Sequence, residues 1–173
     1  MKGLININNI DCFEVEIEFN RNFPRSVPVV KEIGGDIPRD MDRHIDKEGR
    51  CCLTIPSIIT EELMRVPSIL NFMEKFVEPF FANRLYYEKT GMWLSGEYSH
   101  GKRGILDFLT ERLFIKRKIA AKLLEFGCKF RKKSYLINWN KPCPCGSGKV
   151  LKKCHKKEIL EIIKLVKLTE RIC

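Results

Sequence analysis

Three cysteines and a histidine fall within one short string, Cys143-Pro144-Cys145-Gly146-Ser147-Gly148-Lys149-Val150-Leu151-Lys152-Lys153-Cys154-His155. Three thiols and one imidazole are the donor number and type of a closed tetrahedral zinc site. Cys143 and Cys145 stand one residue apart, so both reach one ion only from a tight turn. Gly146 and Gly148 allow the backbone angles such a turn needs. Lys149, Lys152 and Lys153 offset the negative charge that three thiolates bring. With all four positions filled by protein, the metal is expected to be structural rather than catalytic, and its binding to supply folding energy directly.

The string resembles the SEC-C zinc module, named after the tail of the preprotein translocase motor, over roughly residues 138–156. The resemblance implies zinc held by Cys143, Cys145, Cys154 and His155, and a small surface that docks another protein. In the translocase the partner is an export chaperone. The module also occurs in unrelated bacterial proteins, so that partner does not carry over.

A second group of residues could do covalent chemistry. Gly49-Arg50-Cys51-Cys52-Leu53 follows a charged stretch with Arg43, His44 and Lys47. A thiol among cations has its thiolate favoured and becomes a better nucleophile. The plain alternative is a pair of loop-flanking cysteines half buried in the core. An acidic alternating strand, then Phe23-Pro24 with Pro28, another strand, Gly49-x-Cys-Cys52-Leu53 and an apolar helix resemble, over about residues 4–110, the core of a ubiquitin-conjugating enzyme. That resemblance implies Cys52 as the thioester-forming nucleophile and an activating enzyme or a modified protein C-terminus as partner. The family's N-terminal helix and its His-Pro-Asn segment have no counterpart here. Divergent bacterial members carry a histidine upstream of the cysteine, which makes His44 a candidate base or oxyanion donor. Trp93, Glu97 and His100 fall where a site wall would lie, and His100 is a further catalytic candidate. By analogy with bacterial members of anti-phage operons, a role in antiviral defence is implied.

These sites need positioning. Phe13-Glu14-Val15-Glu16-Ile17-Glu18-Phe19 alternates strictly and predicts a half-buried strand. Leu4–Ile10 and Val29–Ile33 complete an antiparallel meander. From 36 to 62 the pattern predicts a long irregular loop, a length that suggests function. After Pro67 an apolar stripe (Ile69, Leu70, Phe72, Met73, Phe76, Val77, Phe80, Phe81) predicts a core helix, kinked or stopped at Pro79. A second helix is expected from about Ile105 to Phe126, with Gly127 as its stop. A third is expected from Lys157 to Arg171, packed through Ile159, Ile162, Ile163 and Val166. The expected fold class is α+β: a ubiquitin-conjugating-like domain over 1–112 whose second helix continues to about 127, a basic linker over 128–138, and the zinc module with its terminal helix over 139–173.

Charge is divided along the chain. Residues 1–100 carry 12 Lys/Arg against 16 Asp/Glu, and residues 101–173 carry 20 against 6, within a total net charge of +10. The basic part attracts nucleic acid, an acidic protein or an acidic membrane surface alike, but no aromatic platform is seen to interleave its lysines. No apolar run is long enough for a membrane span, and the start lacks a signal peptide. Eight cysteines without an export signal suit a reducing cytoplasm better than a disulfide framework. Two functions remain open: an acyl-transferring enzyme acting through Cys52, or a non-catalytic zinc-binding adaptor for a protein or RNA.

Overall fold

The computed structural model describes residues 1–94, 98, 99 and 101–168. The chain packs as two units, Met1–Glu97 and Tyr98–Cys173.

The first unit is built on three antiparallel strands, β1 (Lys2–Ile7), β2 (Asp11–Glu18) and β3 (Val29–Glu32), in sheet order β1-β2-β3. Asn8 and Asn9 join β1 to β2 with positive φ (52° and 56°), a primed-turn geometry that matches the twist of the flanking strands. β2 places Phe13, Val15 and Ile17 in the core and its glutamates outward, as the alternation predicts. Registers Ile5↔Phe13 and Ile17↔Val30 put the apolar residues of neighbouring strands on the same face.

Residues 36–62 are more regular than expected. A 3₁₀ turn over Met41–Arg43 is followed by a tight hairpin in which Ile45 pairs with Cys51, and Arg50 pairs with Lys31 of β3. Residues 49–51 thus lie along β3 as a further short rung, held by Glu32 N–H to the Gly49 carbonyl (2.9 Å) and Cys51 N–H to the Val30 carbonyl (2.8 Å). A helix, α1 (Pro56–Arg65), then begins with Pro56 in its first turn, where a missing N–H costs nothing. Its Ile59 and Leu63 are buried. The β-branched run and Pro56 hide this helix from periodicity.

The apolar stripe forms α2 (Ile69–Phe72), a π turn over Met73–Val77 and α3 (Glu78–Thr90), one continuous helical run. The π turn sits immediately before Pro79, whose ring cannot accept a regular α turn in front of it. Phe72, Val77, Phe80 and Phe81 are buried, whereas Ile69 and Leu70 are exposed. Phe81 stacks on Phe13 at 4.8 Å between centroids, joining α3 to the sheet. Arg84, also on α3, is buried (1% exposed); it pairs with Glu88 and lies over the Tyr87 ring at 5.2 Å. Among the described residues its Nε and Nη1 find no hydrogen-bond partner, and burial holds its pKa below the usual value.

The second unit holds α4 (Lys102–Leu113), α5 (Arg117–Lys129), a 3₁₀ turn (Ser134–Leu136), the cysteine cluster and α6 (Lys156–Leu168). The single helix expected over 105–126 is therefore two. Phe114 ends α4 in the left-handed region (φ 53°) with its side chain 95% exposed, a break no glycine or proline announces. The expected boundary at residue 112 falls inside α4. Gly127 does not stop α5 either. A Cβ there would lie 2.5 Å from Ile162 Cγ2, so glycine is present because α5 and α6 approach closely. Gly127→Ala is expected to destabilise this unit by about 1–3 kcal/mol through overpacking, read as a lower midpoint in urea denaturation of the zinc-loaded chain. On α6, Ile159, Ile162, Ile163 and Val166 are buried as the spacing predicts; Arg171 lies outside the described residues. No helix among the described residues is long and apolar enough to cross a membrane.

Candidate metal centre and paired-cysteine site

The cluster is assembled by two short pieces of chain. Pro142 pairs with Val150, and Cys143 N–H donates to the Lys149 carbonyl (2.8 Å), which closes the 143–149 turn. Gly146 and Gly148 take positive φ (89° and 75°) inside it, as the spacing of the cysteines requires. The 3₁₀ turn over Leu151–Lys153, anchored by buried Leu151, delivers Cys154 and His155 from the other side. One donor atom from each of Cys143, Cys145, Cys154 and His155 lies within 4.8 Å of all the others. Cys143 Sγ is 3.4 Å and Cys154 Sγ 3.2 Å from His155 Nδ1, and Cys145 Sγ is 3.6 Å from Cys154 Sγ. Tetrahedral zinc–thiolate bonds of about 2.3 Å place the donors about 3.8 Å apart, so these residues fit the ion.

One further group was not singled out in the sequence. The Ser147 hydroxyl lies 3.2 Å from both Cys145 Sγ and Cys154 Sγ. It is placed to donate to a thiolate, the kind of outer partner that orients ligands. Burial raises the thiol pKa of both Cys143 and Cys145. Burial dominates at Cys143 and pushes it up to about 12, while at Cys145 the Ser147 hydroxyl and N–H and the neighbouring thiols overcome it and bring the value down to about 6. On α5, Lys122 reaches this turn: its Nζ lies 3.6 Å from where a Gly146 Cβ would sit.

At the paired cysteines, Asp40 caps the 3₁₀ turn that begins at Met41, and His44 ends that turn with φ 56°. The His44 carbonyl accepts the Cys52 N–H at 2.8 Å, which brings these two residues together through the backbone. The His44 imidazole packs edge-on against Trp93 (4.9 Å), and Trp93 stacks on Tyr87 (4.7 Å), a packing role for the tryptophan. His100 and Glu97 lie outside the described residues. Cys51 is half-buried and its thiol is pushed up to about 12 by burial; Cys52 is exposed.

The cationic surroundings do not favour the Cys52 thiolate. Partial burial of the thiol raises its pKa, Asp46 raises it further, and Arg50 counters only in part. Arg50 is itself committed to Asp46 (Nε–Oδ2 2.6 Å) and Glu48 (3.0 Å). Cys52 is therefore expected to alkylate more slowly at neutral pH than a small-molecule thiol. Its iodoacetamide rate should still be climbing where an ordinary thiol has levelled off. A plateau reached below pH 8, followed by mass spectrometry, would contradict this. Cys128 is disulfide-bonded, unlike the free thiols expected outside the cluster.

The α+β unit and the four-donor cluster define a chain with a zinc-binding C-terminal module. Residues 140–157 match the family model of the SEC-C motif, which bears out the resemblance at that end of the chain. No curated protein and no solved structure matches the chain, so the ubiquitin-conjugating-like resemblance of the first unit gains no support from relatives.

Proposed function

We propose that the chain is a zinc-stapled adaptor, in which the SEC-C module holds part of the second unit in the shape that docks a protein partner. The observation carrying this is the closed donor set: four protein ligands leave no position for substrate, so the ion serves architecture. The SEC-C match supports a docking role. Zinc analysis should give one ion per chain, and His155→Ala should lose both the ion and the cross-links to partner protein formed by the zinc-loaded chain. Undiminished cross-linking by a metal-free variant would end this reading.

A second reading is favoured by one observation, the exposed Cys52 at the end of the 49–51 rung, its N–H fixed by the His44 carbonyl. In a ubiquitin-conjugating-like reaction its sulfur would attack a protein C-terminal carboxyl activated by a partner enzyme. A C–S bond forms, the activating group leaves, and an amine later displaces the sulfur. The anti-phage setting and a cytoplasmic site of action belong to this reading through the resemblance alone. With the activating partner present, wild type should show a thiol-sensitive adduct on a reductant-free gel and Cys52→Ala none. An adduct that persists in Cys52→Ala, or no adduct in wild type, removes this reading.

A further inference from the structure

Charge in the second unit is concentrated and little neutralised. Residues 98–173 carry 20 Lys/Arg against 6 Asp/Glu. Three of those acids are already engaged: Asp107 pairs with Arg117, Glu161 with Arg112, and Glu111 accepts the Tyr98 hydroxyl. Within it, residues 129–141 contain Lys129, Arg131, Lys132, Lys133 and Lys141, no acid, and the aromatics Phe130, Tyr135 and Trp139. The lack of interleaved aromatics expected from the sequence is corrected here: Phe130 and Tyr135 stand in the stretch read as a linker, and Trp139 at the first residue of the zinc module.

Ile137 anchors this stretch in the core, and most of its other side chains reach the surface. Its 3₁₀ turn buries no residue, and Tyr135 is 80% and Leu136 56% exposed. Cations accompany the rings: Lys129 Nζ is 6.0 Å from the Phe130 centroid and Lys156 Nζ 5.6 Å from that of Trp139. The Trp139 carbonyl accepts the Lys152 N–H (3.0 Å), which sets another lysine of the zinc module at the same place, and Lys167 Nζ reaches Ser134 Oγ (3.4 Å) beside Tyr135.

We infer that residues 129–141, with Lys152 and Lys156, form a binding surface for single-stranded nucleic acid. Lysine and arginine neutralise phosphates, and the exposed Tyr135 ring offers a π-face on which an unpaired base stacks. Paired strands keep their base faces covered, and the carboxylates of an acidic polypeptide offer no aromatic face to stack on the ring. The exposed Tyr135 ring, two residues after the Arg131-Lys132-Lys133 run, therefore favours the single strand. This goes beyond the adaptor reading and is independent of Cys52.

The test uses the full zinc-loaded chain and a fluorescein-labelled oligo-uridine of twelve residues, read by anisotropy. Binding should weaken steeply with salt. Lys132→Ala with Lys133→Ala should make the log–log salt slope shallower by about 1.4, at about 0.7 per phosphate contact released. Tyr135→Ala should lower affinity about 5-fold or more, with Tyr135→Phe close to wild type. Tyr135 is largely exposed, so its loss leaves the zinc content unchanged, which is measured in parallel. Two results overturn the inference: Tyr135→Ala binding as tightly as wild type, or polyglutamate of equal charge competing as well as oligo-uridine. The second would identify the surface as one for an acidic protein.

Discussion

Removing the metal is expected to unravel residues 140–157 and release the start of α6. His155 is both one of the four clustered donors and the residue before Lys156, and its carbonyl accepts the Ile159 N–H (3.0 Å) in the first turn of that helix. Structural zinc contributes on the order of 10 kcal/mol in small modules, comparable to the whole stability of a typical domain. Apart from the ion, this piece is held by the bridge between Pro142 and Val150, by the backbone bonds Cys143 to Lys149, Leu151 to Lys141 and Lys152 to Trp139, and by buried Cys143 and Leu151. Hydrogen exchange with and without chelator should therefore show the amides of Cys143, Leu151 and Cys154 losing their protection when the ion leaves. A chromogenic chelator should recover one zinc per chain. Protection that survives chelation would mean that the turn is held by its own packing, and that the cluster is incidental to the fold.

The second large effect is expected at Arg39. Glu32 closes β3 with its side chain fully buried, accepting from Gly35 N–H (2.7 Å), Asp36 N–H (3.3 Å) and Arg39 Nη1 (2.6 Å). Its own N–H holds the Gly49 carbonyl, and a Cβ at Gly49 would lie 2.7 Å from the Glu32 carbonyl oxygen and 3.0 Å from the Arg39 guanidinium. The Glu32 backbone thus ties the end of the sheet to the 49–51 rung that precedes Cys52, while its buried carboxylate fixes the 35–39 turn and Arg39 beside Gly49. Arg39→Ala leaves that charge without its cation and is expected to cost about 3 kcal/mol. Adding Glu32→Gln to Arg39→Ala should recover part of the loss, since the neutral amide needs no counter-charge. Urea denaturation of the two single variants and the double variant reads this directly, and strictly additive costs would show that the pair is not coupled.

Legibility followed how local each signal is. The four-donor cluster could be read because turn, glycines and donors sit within thirteen consecutive residues, and β2 because strict alternation has one meaning. α1 was missed because Pro56, after Pro38 and Gly49, reads as one more interruption of an irregular loop, although proline is at home in a first helical turn. The break at Phe114 carries no local signal. Gly127 was misread as a stop because its reason lies on another helix, in the methyl of Ile162. The cations near Cys52 in sequence do not act alone, for a similar cause: burial of the thiol raises its pKa, and the hairpin folds Asp46 back onto Arg50 and sets it near Cys52. The α+β class is as expected, with the sheet, helices and cluster all present.

Arg84 sets the interior of the first unit apart from an oil-like core. A guanidinium with two nitrogens shielded from water and unmatched is a burden that methionine or leucine of similar bulk would lift, and such replacements of buried charge are often neutral or favourable to melting temperature. Thermal hardening of this protein can therefore begin at one position on α3, and whatever property the hardened chain gives up is the reason a cation is kept there.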